Sequence, residues 1–296
     1  MKRVATFAEV RQANRGSVGL VPTMGFLHEG HISLIEAAKK ENDHVVVSVF
    51  VNPLQFGDPA DLKRYPHDID RDARIAAAAG ADVLLVPSVE YMYPGESTTT
   101  VDVGKVGETM EGAHRPGHFT GVATVVAKLF AGVQPQTAYF GRKDAQQLAV
   151  VSQLAADLRF PVEVRPCPIV RESDGLALSS RNVRLGLDAR SSAAALFAGL
   201  EAGADLFETG ERSTAVVIDV VRTVASSGRG VDIEYVALAD SVTAIGAAEF
   251  VGEQFLAIAA TVGSVRLIDN ITIDASGGIV DTGIRLGSRS ILYGEM

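Results

Sequence analysis

The amino-acid sequence predicts an α/β fold, with a Rossmann-like, doubly wound parallel sheet and a smaller C-terminal α+β domain. Two observations predict the sheet. Short β-branched runs alternate with helical patterns in the first half of the chain, and these runs are apolar throughout, as in strands covered on both faces. A third observation predicts the second domain, because beyond residue 175 two helical patterns are followed by strands of alternating polarity.

The first half predicts a βαβ unit that continues into further strands. The predicted strands are 18–21, 44–51, 82–86 and 137–140. The predicted helices are 30–41, 70–79, 121–131 and 145–158. Ligands of open parallel sheets bind beyond the carboxyl ends of the strands, so the loops after Val21, Val51 and Phe140 are expected to hold the site.

The change from apolar strands to alternating ones predicts two domains: a Rossmann-like domain, 1–174, and a smaller α+β domain, 175–296. A strand at 162–166 is expected near the end of the first domain. The elements predicted in the second are helices at 188–207 and 214–226 and strands at 231–236, 255–259 and 266–273. The tail from Ala275 contains Gly and Ser and is expected to be flexible.

Composition limits the class of protein. With 296 residues, 47% of them hydrophobic, the chain can fill a core without covalent links. The single cysteine, Cys167, cannot form an internal disulfide, which fits a reducing compartment and a small buried side chain. The net charge of −9 opposes binding to nucleic acid. Neither a signal peptide nor a membrane-spanning run is visible, so a cytoplasmic protein without a membrane partner is expected.

The loop Pro22-Thr-Met-Gly-Phe-Leu-His-Glu-Gly-His31 leaves a predicted strand and enters a predicted helix. Helix N-termini offer unpaired N–H groups to phosphate, and Gly25 and Gly30 allow the backbone to approach it. His28 and His31 are spaced so that both can reach one oxyanion. This HxGH pattern resembles the signature of the class I aminoacyl-tRNA synthetase and nucleotidyltransferase superfamily, in which the histidines stabilise charge on the ATP phosphates.

Two other interpretations of these histidines stay open. They can be surface or helix-cap residues, or they can bind zinc. The zinc interpretation is disfavoured, because His28 and His31 are three apart rather than four and no third ligand is evident.

Asn52 and Gln55 follow the predicted strand 44–51. Their amides can hydrogen-bond a small polar substrate without adding charge, which favours a binding role at this edge of the sheet. Either residue alone could instead belong to a turn.

Gly141-Arg-Lys-Asp-Ala-Gln-Gln147 follows the predicted strand 137–140 and enters a helix. Lys143 can meet a phosphate, Asp144 can accept from ribose hydroxyls, and Gln147 lies one helical turn beyond Lys143. An exposed, charged helix start is the alternative for any one of them.

Ala177-Leu-Ser-Ser-Arg-Asn182 places two hydroxyls beside a cation at the predicted domain junction. It resembles the second superfamily signature, a loop that usually carries lysine, closes on the triphosphate and stabilises the departing pyrophosphate. Here Arg181 would supply that charge.

Five fragments in order, PTMGFLHEGH, VFVNPLQF, RPGHFTGV, YFGRKDAQQ and DGLALSSRN, together resemble the pantothenate synthetase family. The resemblance covers about 17–270, which is most of the chain. It implies an ATP-dependent, Mg²⁺-requiring ligase that joins pantoate to β-alanine through pantoyl adenylate, releasing AMP and pyrophosphate. It also implies a homodimer, in which domain 1–174 binds the nucleotide and pantoate and domain 175–296 acts as a lid.

The resemblance also assigns roles to residues. The implied catalytic residues are His28, His31, Lys143 and Arg181. The implied ATP-binding residues are Met24, Gly25, His28, Gly30, His31, Gly141, Arg142, Lys143, Asp144, Val170, Leu178, Ser179, Ser180 and Arg181. The implied pantoate-binding residues are Gln55 and Gln147, with Met24, Asn52 and Arg115 beside them. His118 is a further candidate, and an ordinary surface loop is the alternative for it and for Arg115.

Asp72 matches an acidic position near the family's magnesium site, although a carboxylate paired with arginine at a helix start is an alternative. Two departures from the family pattern affect these assignments. Leu178 replaces a common methionine, an apolar change of similar volume that should be tolerated. Arg71 interrupts an acidic run, which weakens the metal assignment.

Two other functions remain as alternatives. One is a nucleotidyltransferase acting on a phosphorylated small molecule, and the uncharged Gln55 and Gln147 disfavour it. The other is a non-catalytic nucleotide-binding regulator, and the retained set of histidines and cations disfavours that. A tRNA synthetase is less favoured again, because the chain is acidic and has little room for an RNA-reading domain.

Overall fold

The computed structural model describes residues 1–247, 252–274 and 278–294. Its first part alternates strands with helices. The strands are β1 (Lys2–Val4), β2 (Val18–Thr23), β3 (His44–Val49), β4 (Val83–Leu85), β5 (Thr137–Gly141) and β6 (Glu163–Cys167). The helices are α1 (Phe7–Ala13), α2 (Glu29–Glu41), α3 (Pro59–Arg64), α4 (Ile69–Ala78), α5 (Val89–Met92), α6 (Met110–His114), α7 (His118–Val133) and α8 (Ala145–Asp157). Short 3-10 helices lie at Pro53–Gln55, Gly104–Gly107 and Arg142–Asp144.

Within the described residues these six strands form one parallel sheet in the order β1-β4-β3-β2-β5-β6. The strand order reverses between β2 and β5, where Gly19 pairs with Thr137. Such a reversal opens a crevice at the carboxyl ends of the two strands, and ligands of doubly wound sheets bind there. The Rossmann-like fold class is confirmed. β1 was not predicted, because three residues, of which two are exposed, give no readable pattern.

Helices cover both faces of this sheet. Val45 and Val47 of β3 pack in one cluster with Ile35 of α2 and Ala76 of α4. Val46, between them, points to the opposite face and is equally buried, and α7 contacts β2. Burial on both faces explains why the strands are continuous apolar runs.

A second group of elements follows. Its strands are β7 (Val170–Arg171), β8 (Val231–Asp240), β9 (Gln254–Val262), β10 (Val265–Ile273), β11 (Ile279–Asp281) and β12 (Ile284–Arg285), and its helices are α9 (Leu187–Glu208) and α10 (Thr214–Ala225). Two 3-10 helices lie at Ser180–Arg184 and Ile291–Tyr293. Strands β11-β10-β9-β8 form an antiparallel sheet in that order, and β12 pairs with β7 in parallel. The smaller α+β part predicted from the sequence is thereby confirmed.

The helices of this second group cover the antiparallel sheet. Leu196 and Leu200 of α9 and Val217 of α10 pack with Leu256 and Ile258 of β9 in one buried cluster. The cluster includes alternate residues of β9, as expected for side chains on one face of a strand.

By contacts the chain divides into two units. The first unit comprises Met1–Gly141 and Val150–Cys167, and the second comprises Arg142–Ala149 and Pro168–Met296. The domain boundary predicted at residue 175 stays a prediction. So does the flexible tail from Ala275, since 275–277 and 295–296 lie outside the described residues. In the part of the chain that is described, no helix has the length and hydropathy needed to cross a bilayer.

Candidate active site

The loop between β2 and α2 has an uncommon backbone shape. Gly25 and Phe26 both have positive φ, 86° and 52°, a conformation that glycine adopts freely and phenylalanine does not. The N–H of Gly25 donates to Oγ1 of Thr23 over 3.1 Å, and that hydroxyl donates to the carbonyl of Ser48 over 2.8 Å. The loop therefore leaves the sheet in a fixed direction and places His28 at the start of α2.

His28 and His31 form a reciprocal cap at the N-terminus of α2. The N–H of Gly30 donates to Nδ1 of His28 over 3.2 Å, and the N–H of His28 donates to Nδ1 of His31 over 3.3 Å. The two ring centroids are 4.1 Å apart. Because Nδ1 accepts in each ring, the neutral imidazoles carry their proton on Nε2. The helix-cap and phosphate-binding interpretations are therefore compatible, since they use different nitrogens of the same rings.

Gly30 has a steric role beside His28. A Cβ at residue 30 would lie 2.9 Å from Cε1 and 3.0 Å from Nδ1 of His28, closer than such atoms approach without displacement. Glycine thus allows the imidazole to lie against the first turn of α2. That helix has 13 residues, and the positive end of its dipole faces the side from which the loop enters.

Asn52 and Gln55 are buried in the segment after β3. Nδ2 of Asn52 donates to Oε1 of Gln55 and to the carbonyl of Gly121, each over 3.0 Å, and the hydroxyl of Tyr93 donates to Oδ1 of Asn52 over 2.8 Å. Burial raises the pKa of Tyr93 to about 12, so this hydroxyl keeps its proton at neutral pH. Nε2 of Gln55 lies 3.0 Å from Sδ of Met24, a weak acceptor. Gln55 therefore presents N–H donors next to the loop that leads to His28.

Arg115 and His118 hold the backbone of Gln55. Nη2 of Arg115 donates to the carbonyl of Gln55 over 3.3 Å, and Nδ1 of His118 lies 2.8 Å from the same oxygen. Nη1 of Arg115 lies 3.1 Å from Nε2 of His118 and 3.5 Å from a carboxylate oxygen of Glu111. Arginine only donates, so Nε2 of His118 accepts and Nδ1 carries the proton. The predicted contact of Arg115 with substrate stays a prediction.

In the second unit, two contacts fix the segment around Lys143. Nη1 of Arg142 donates to Oε1 of Glu253 over 2.9 Å. Nδ2 of Asn270, in β10, donates to the carbonyls of Arg142 and Lys143 over 3.0 and 2.8 Å. The guanidinium of Arg142, predicted to contact the nucleotide, is thus engaged in an ion pair, and Lys143 follows on a tethered backbone.

The other predicted residues of this segment lie close together along the chain. Nζ of Lys143 is 3.4 Å from Oδ1 of Asp144. Gly141 ends β5, and Gln147 is half-buried in the first turn of α8. An ammonium, a carboxylate and an amide at a helix start suit phosphate, ribose and a small acid respectively.

The predicted triphosphate loop continues from a short hairpin. The carbonyl of Val170 accepts from the N–H of Leu178 over 2.9 Å, so these two predicted residues are neighbours. Oγ of Ser179 accepts from the N–H of Arg181 over 3.2 Å and begins the 3-10 helix. Ser180 is buried and Arg181 is half-buried.

Arg171 fixes this hairpin from within. Its guanidinium pairs with Oδ2 of Asp269 over 2.6 Å and donates to the carbonyls of Gly175 and Asn270 over 3.1 and 2.9 Å. It also stacks 3.8 Å above the ring of Phe197. The guanidinium of Arg171 is 0% exposed, and its burial is tolerated because its N–H groups donate hydrogen bonds to these oxygens.

Asp72 is buried beneath the β2–α2 loop. Its side chain is 1% exposed, and its two oxygens accept the N–H groups of Phe26 and Leu27 over 2.8 and 2.7 Å. Burial raises the pKa of Asp72, although these two hydrogen bonds act in the opposite direction. Among the described residues, no three His, Cys, Asp or Glu are grouped so as to bind a metal ion. Both oxygens of Asp72 are engaged by the loop, so among the described residues its carboxylate does not fit a metal site built from protein side chains.

A family comparison accounts for this arrangement. The family model described as pantoate-beta-alanine ligase matches residues 1–272. The chain belongs to the pantoate-β-alanine ligase family. Pantothenate synthetase of Moorella thermoacetica is 48% identical over 282 residues, covering 93% of this chain and 100% of the relative. That of a Roseiflexus species is 47% identical over 279 residues, with 93% and 100% covered.

Solved structures agree with the family. Pantothenate synthetase from Thermus thermophilus matches with a TM-score of 0.88 and 46% identity, covering 93% of this chain and 99% of that one. Pantoate-beta-alanine ligase from Francisella tularensis, complexed with beta-gamma ATP and beta-alanine, matches with a TM-score of 0.73 and 33% identity. The coverage is 91% of this chain and 97% of that chain.

Four residues around the site were not identified from the sequence of this pantoate-β-alanine ligase family member. They are Tyr93, Arg171, Asp269 and Asn270. The last two interrupt the apolar positions of a strand as a buried Asp-Asn pair, which is a signal that the sequence contains. Tyr93 leaves no such signal, because its partner is 41 residues away.

Proposed function

We propose that this chain is an ATP-dependent ligase that condenses pantoate with β-alanine, releasing AMP and pyrophosphate. The match of the pantoate-β-alanine ligase family over residues 1–272 carries this proposal. The HxGH loop, the uncharged amide of Gln55 and the cation of Lys143 support it, because they suit a triphosphate and a small acid rather than a phosphorylated acceptor.

The first step joins pantoate to the α-phosphorus of ATP. A carboxylate oxygen of pantoate attacks the phosphorus, the bond to the β-phosphate oxygen breaks, and pyrophosphate leaves with its electron pair. The Nε2–H groups of His28 and His31 are the donors proposed to meet the developing charge, because Nδ1 of each ring is an acceptor. Lys143 and Arg181 add fixed positive charge on the phosphates.

Pantoate is held by the amides of Gln55 and Gln147. The contact from Asn52 engages the side-chain oxygen of Gln55, so the NH₂ group of Gln55 is the donor proposed to meet an oxygen of the substrate. Met24 and Asn52 complete this subsite, with Arg115 behind Gln55. Asp144 and Gly141 are proposed at the ribose, and Val170, Leu178, Ser179 and Ser180 along the nucleotide.

The second step transfers the acyl group. The uncharged amine of β-alanine attacks the acyl carbon of the adenylate, the bond to the phosphate oxygen breaks, AMP leaves, and the amine loses a proton to solvent. A mixed anhydride is hydrolysed by water, so the site must exclude solvent until β-alanine enters, and the predicted lid domain, 175–296, is proposed to serve this purpose. Mg²⁺ is proposed to arrive with the ATP phosphates, its usual partners.

We place the enzyme in the cytoplasm as a homodimer, without a nucleic-acid or membrane partner. The resemblance to the family and the acidic net charge support this placement. Light scattering on the purified protein measures the oligomeric state, and a monomer across the working concentration range would contradict the dimer.

The direct test of the activity is product analysis. ATP and Mg²⁺ are supplied with pantoate, with β-alanine, or with both, and AMP, pyrophosphate and pantothenate are quantified. Sustained AMP release should require both acids and fall by about a hundredfold or more in His31→Ala, with exposed His114→Ala as the control. Turnover only with a phosphorylated acceptor would instead establish a nucleotidyltransferase, and ATP binding without turnover would establish a regulator.

A further inference from the structure

The carboxylate of Asp72 is occupied by main-chain donors. Oδ2 accepts from the N–H of Phe26 and Oδ1 accepts from the N–H of Leu27, so each oxygen has its own partner. Two successive N–H groups that converge on one carboxylate form an anion-binding concavity of the kind that otherwise holds a ligand. Here the anion belongs to the protein, and its side chain is 1% exposed.

The loop needs such a partner, because its backbone is strained at Phe26. A non-glycine residue with φ of 52° costs of order 1 kcal/mol or more and persists only when its surroundings hold it. Asp72 supplies charged acceptors for the two N–H groups that this shape turns toward α4. The strained residue is two positions before His28, so its conformation determines where the imidazole lies.

Arg71 holds the same loop from the next position of α4. Its Nη1 donates to the carbonyl of Leu27 over 2.9 Å, and its guanidinium lies 4.8 Å from the ring centroid of Phe26. The residue that interrupts the acidic run is therefore a second contact to the loop. Arg71 and Asp72 together engage the N–H and the carbonyl of Leu27.

The other two acidic residues near Asp72, Asp68 and Asp70, make separate contacts. Asp68 caps α4 by accepting the N–H of Arg71 over 2.9 Å, and exposed Asp70 pairs with Arg3 over 3.2 Å. None of these contacts brings a second carboxylate to Asp72. Mg²⁺ needs oxygen ligands that are free to point at it, and the described residues group no set of three around this position.

We propose that Asp72 is a positioning residue for the HxGH loop, and that it acts on ATP through His28 and His31 rather than through a metal ion. The inference rests on the proposed function only in naming ATP as the ligand of that loop. Asp72 keeps the loop in its strained shape before ATP binds, so the two imidazoles are preorganised for the phosphates.

The test separates loop positioning from metal binding by using Asp72→Asn, with Asp70→Asn as the matched control on the same helix. Asparagine retains one acceptor and turns an NH₂ group toward a backbone N–H, so one of the two bonds is lost. In metal-free protein without substrates, hydrogen–deuterium exchange at Phe26 and Leu27 should rise by about tenfold in Asp72→Asn and stay unchanged in Asp70→Asn. Unchanged exchange in Asp72→Asn would overturn the proposal.

Steady-state kinetics give the second readout. Asp72→Asn should lower kcat by about tenfold or more, while the Mg²⁺ concentration for half-maximal rate stays within about twofold of the unmodified enzyme. A rise of about tenfold or more in that Mg²⁺ concentration, with ordinary exchange at the loop, would show a metal ligand and overturn the proposal.

If Asp72→Asn does not fold, hydrogen–deuterium exchange of the unmodified protein tests the proposal instead. Its Phe26 and Leu27 amides should be protected from exchange in the presence of a chelator, and added Mg²⁺ should leave them unchanged. Protection that appears only with Mg²⁺ would overturn the proposal. Because these exchange measurements contain no substrate, they stand even if the chain proves to make no pantothenate, which would contradict the proposed function alone.

Discussion

The hydroxyl of Tyr93 donates a hydrogen bond of 2.8 Å to Oδ1 of Asn52, which also accepts the N–H of Leu54 over 3.3 Å, and these contacts orient the amide of Asn52. With its oxygen engaged, Asn52 turns Nδ2 to Oε1 of Gln55. The NH₂ group of Gln55, which lies 3.0 Å from Sδ of Met24, is then the donor proposed to meet the substrate. A tyrosine 41 residues from Asn52 thus contributes to the polarity of the proposed pantoate subsite.

Replacing Tyr93 with Phe should therefore weaken pantoate binding selectively. The loss of one buried hydrogen bond predicts a rise of about three- to tenfold in KM for pantoate, with KM for ATP changed by less than about twofold. Tyr91→Phe is the control, since Tyr91 lies in α5, which ends one residue before Tyr93, and its hydroxyl accepts the N–H of Phe7 instead. Equal changes in KM for pantoate and KM for ATP, or no change in either, would contradict this role of Tyr93.

Gly25→Ala should distort the HxGH loop both by a steric clash and by backbone strain. The added Cβ would lie 2.9 Å from Oδ2 of Asp72 and from Cγ1 of Val49, at a φ of 86°. We expect a loss of roughly 2–4 kcal/mol in the free energy of unfolding and a large fall in kcat. Gly95→Ala, also at positive φ but with no atom within 4 Å, isolates the strain and should cost about 1 kcal/mol. Similar losses in the two variants, measured by urea unfolding, would contradict the steric role.

Asn270→Asp should disturb the proposed contact of Lys143 with ATP. The variant keeps the side-chain size but places a carboxylate oxygen opposite the carbonyls of Arg142 and Lys143, which now accept from Nδ2. Repulsion should release the segment and lower kcat/KM for ATP by about tenfold or more. Thr272→Val, on the same strand, loses only a 3.4 Å contact with Arg142 and should change kcat/KM little. An Asn270→Asp enzyme with ordinary ATP kinetics would show that this tether is dispensable.

Asp82 gives a pH-dependent contribution to stability. Partial burial acts to raise its pKa, but hydrogen bonds from the N–H of Val45 and the ammonium of Lys39, 2.8 and 3.0 Å away, outweigh it and lower the pKa below 3.8. A carboxyl group whose native pKa is lowered stabilises the fold above its unfolded pKa, and this contribution is lost as pH falls through the native pKa. Asp82→Asn should thus cost roughly 0.5–1 kcal/mol near pH 7 and almost nothing in strong acid. Urea unfolding across that range measures the difference, and a gap that persists in acid would contradict the assignment.

The sheet was predictable because strands buried on both faces are apolar at every position, a pattern that is easily recognised in the sequence. Val45 to Val47 are apolar at every position, which a strand exposed on one face would not be. The candidate residues at the strand ends were predictable for a related reason, since strand–loop–helix connections place His28 and Lys143 at helix starts.

The supporting contacts were not predictable, because each joins polar residues far apart in sequence. Asp72 and Phe26 are 46 residues apart, and Asn270 and Lys143 are 127 apart. Such pairs have no periodicity, and a carboxylate before a helix turn can serve a metal, a backbone or an arginine equally well. Only the structure shows that Asp72 accepts the N–H groups of the loop, an alternative that the sequence did not suggest.

The most direct test of the adenylate mechanism follows the carboxylate oxygen of pantoate. With heavy oxygen in both carboxylate positions, attack on the α-phosphorus and release of AMP should leave one labelled oxygen in the AMP phosphate and one in pantothenate, as mass spectrometry can measure. Unlabelled AMP, or ADP with the label in inorganic phosphate, would contradict the adenylate and with it the central claim that this site activates pantoate on the α-phosphate of ATP.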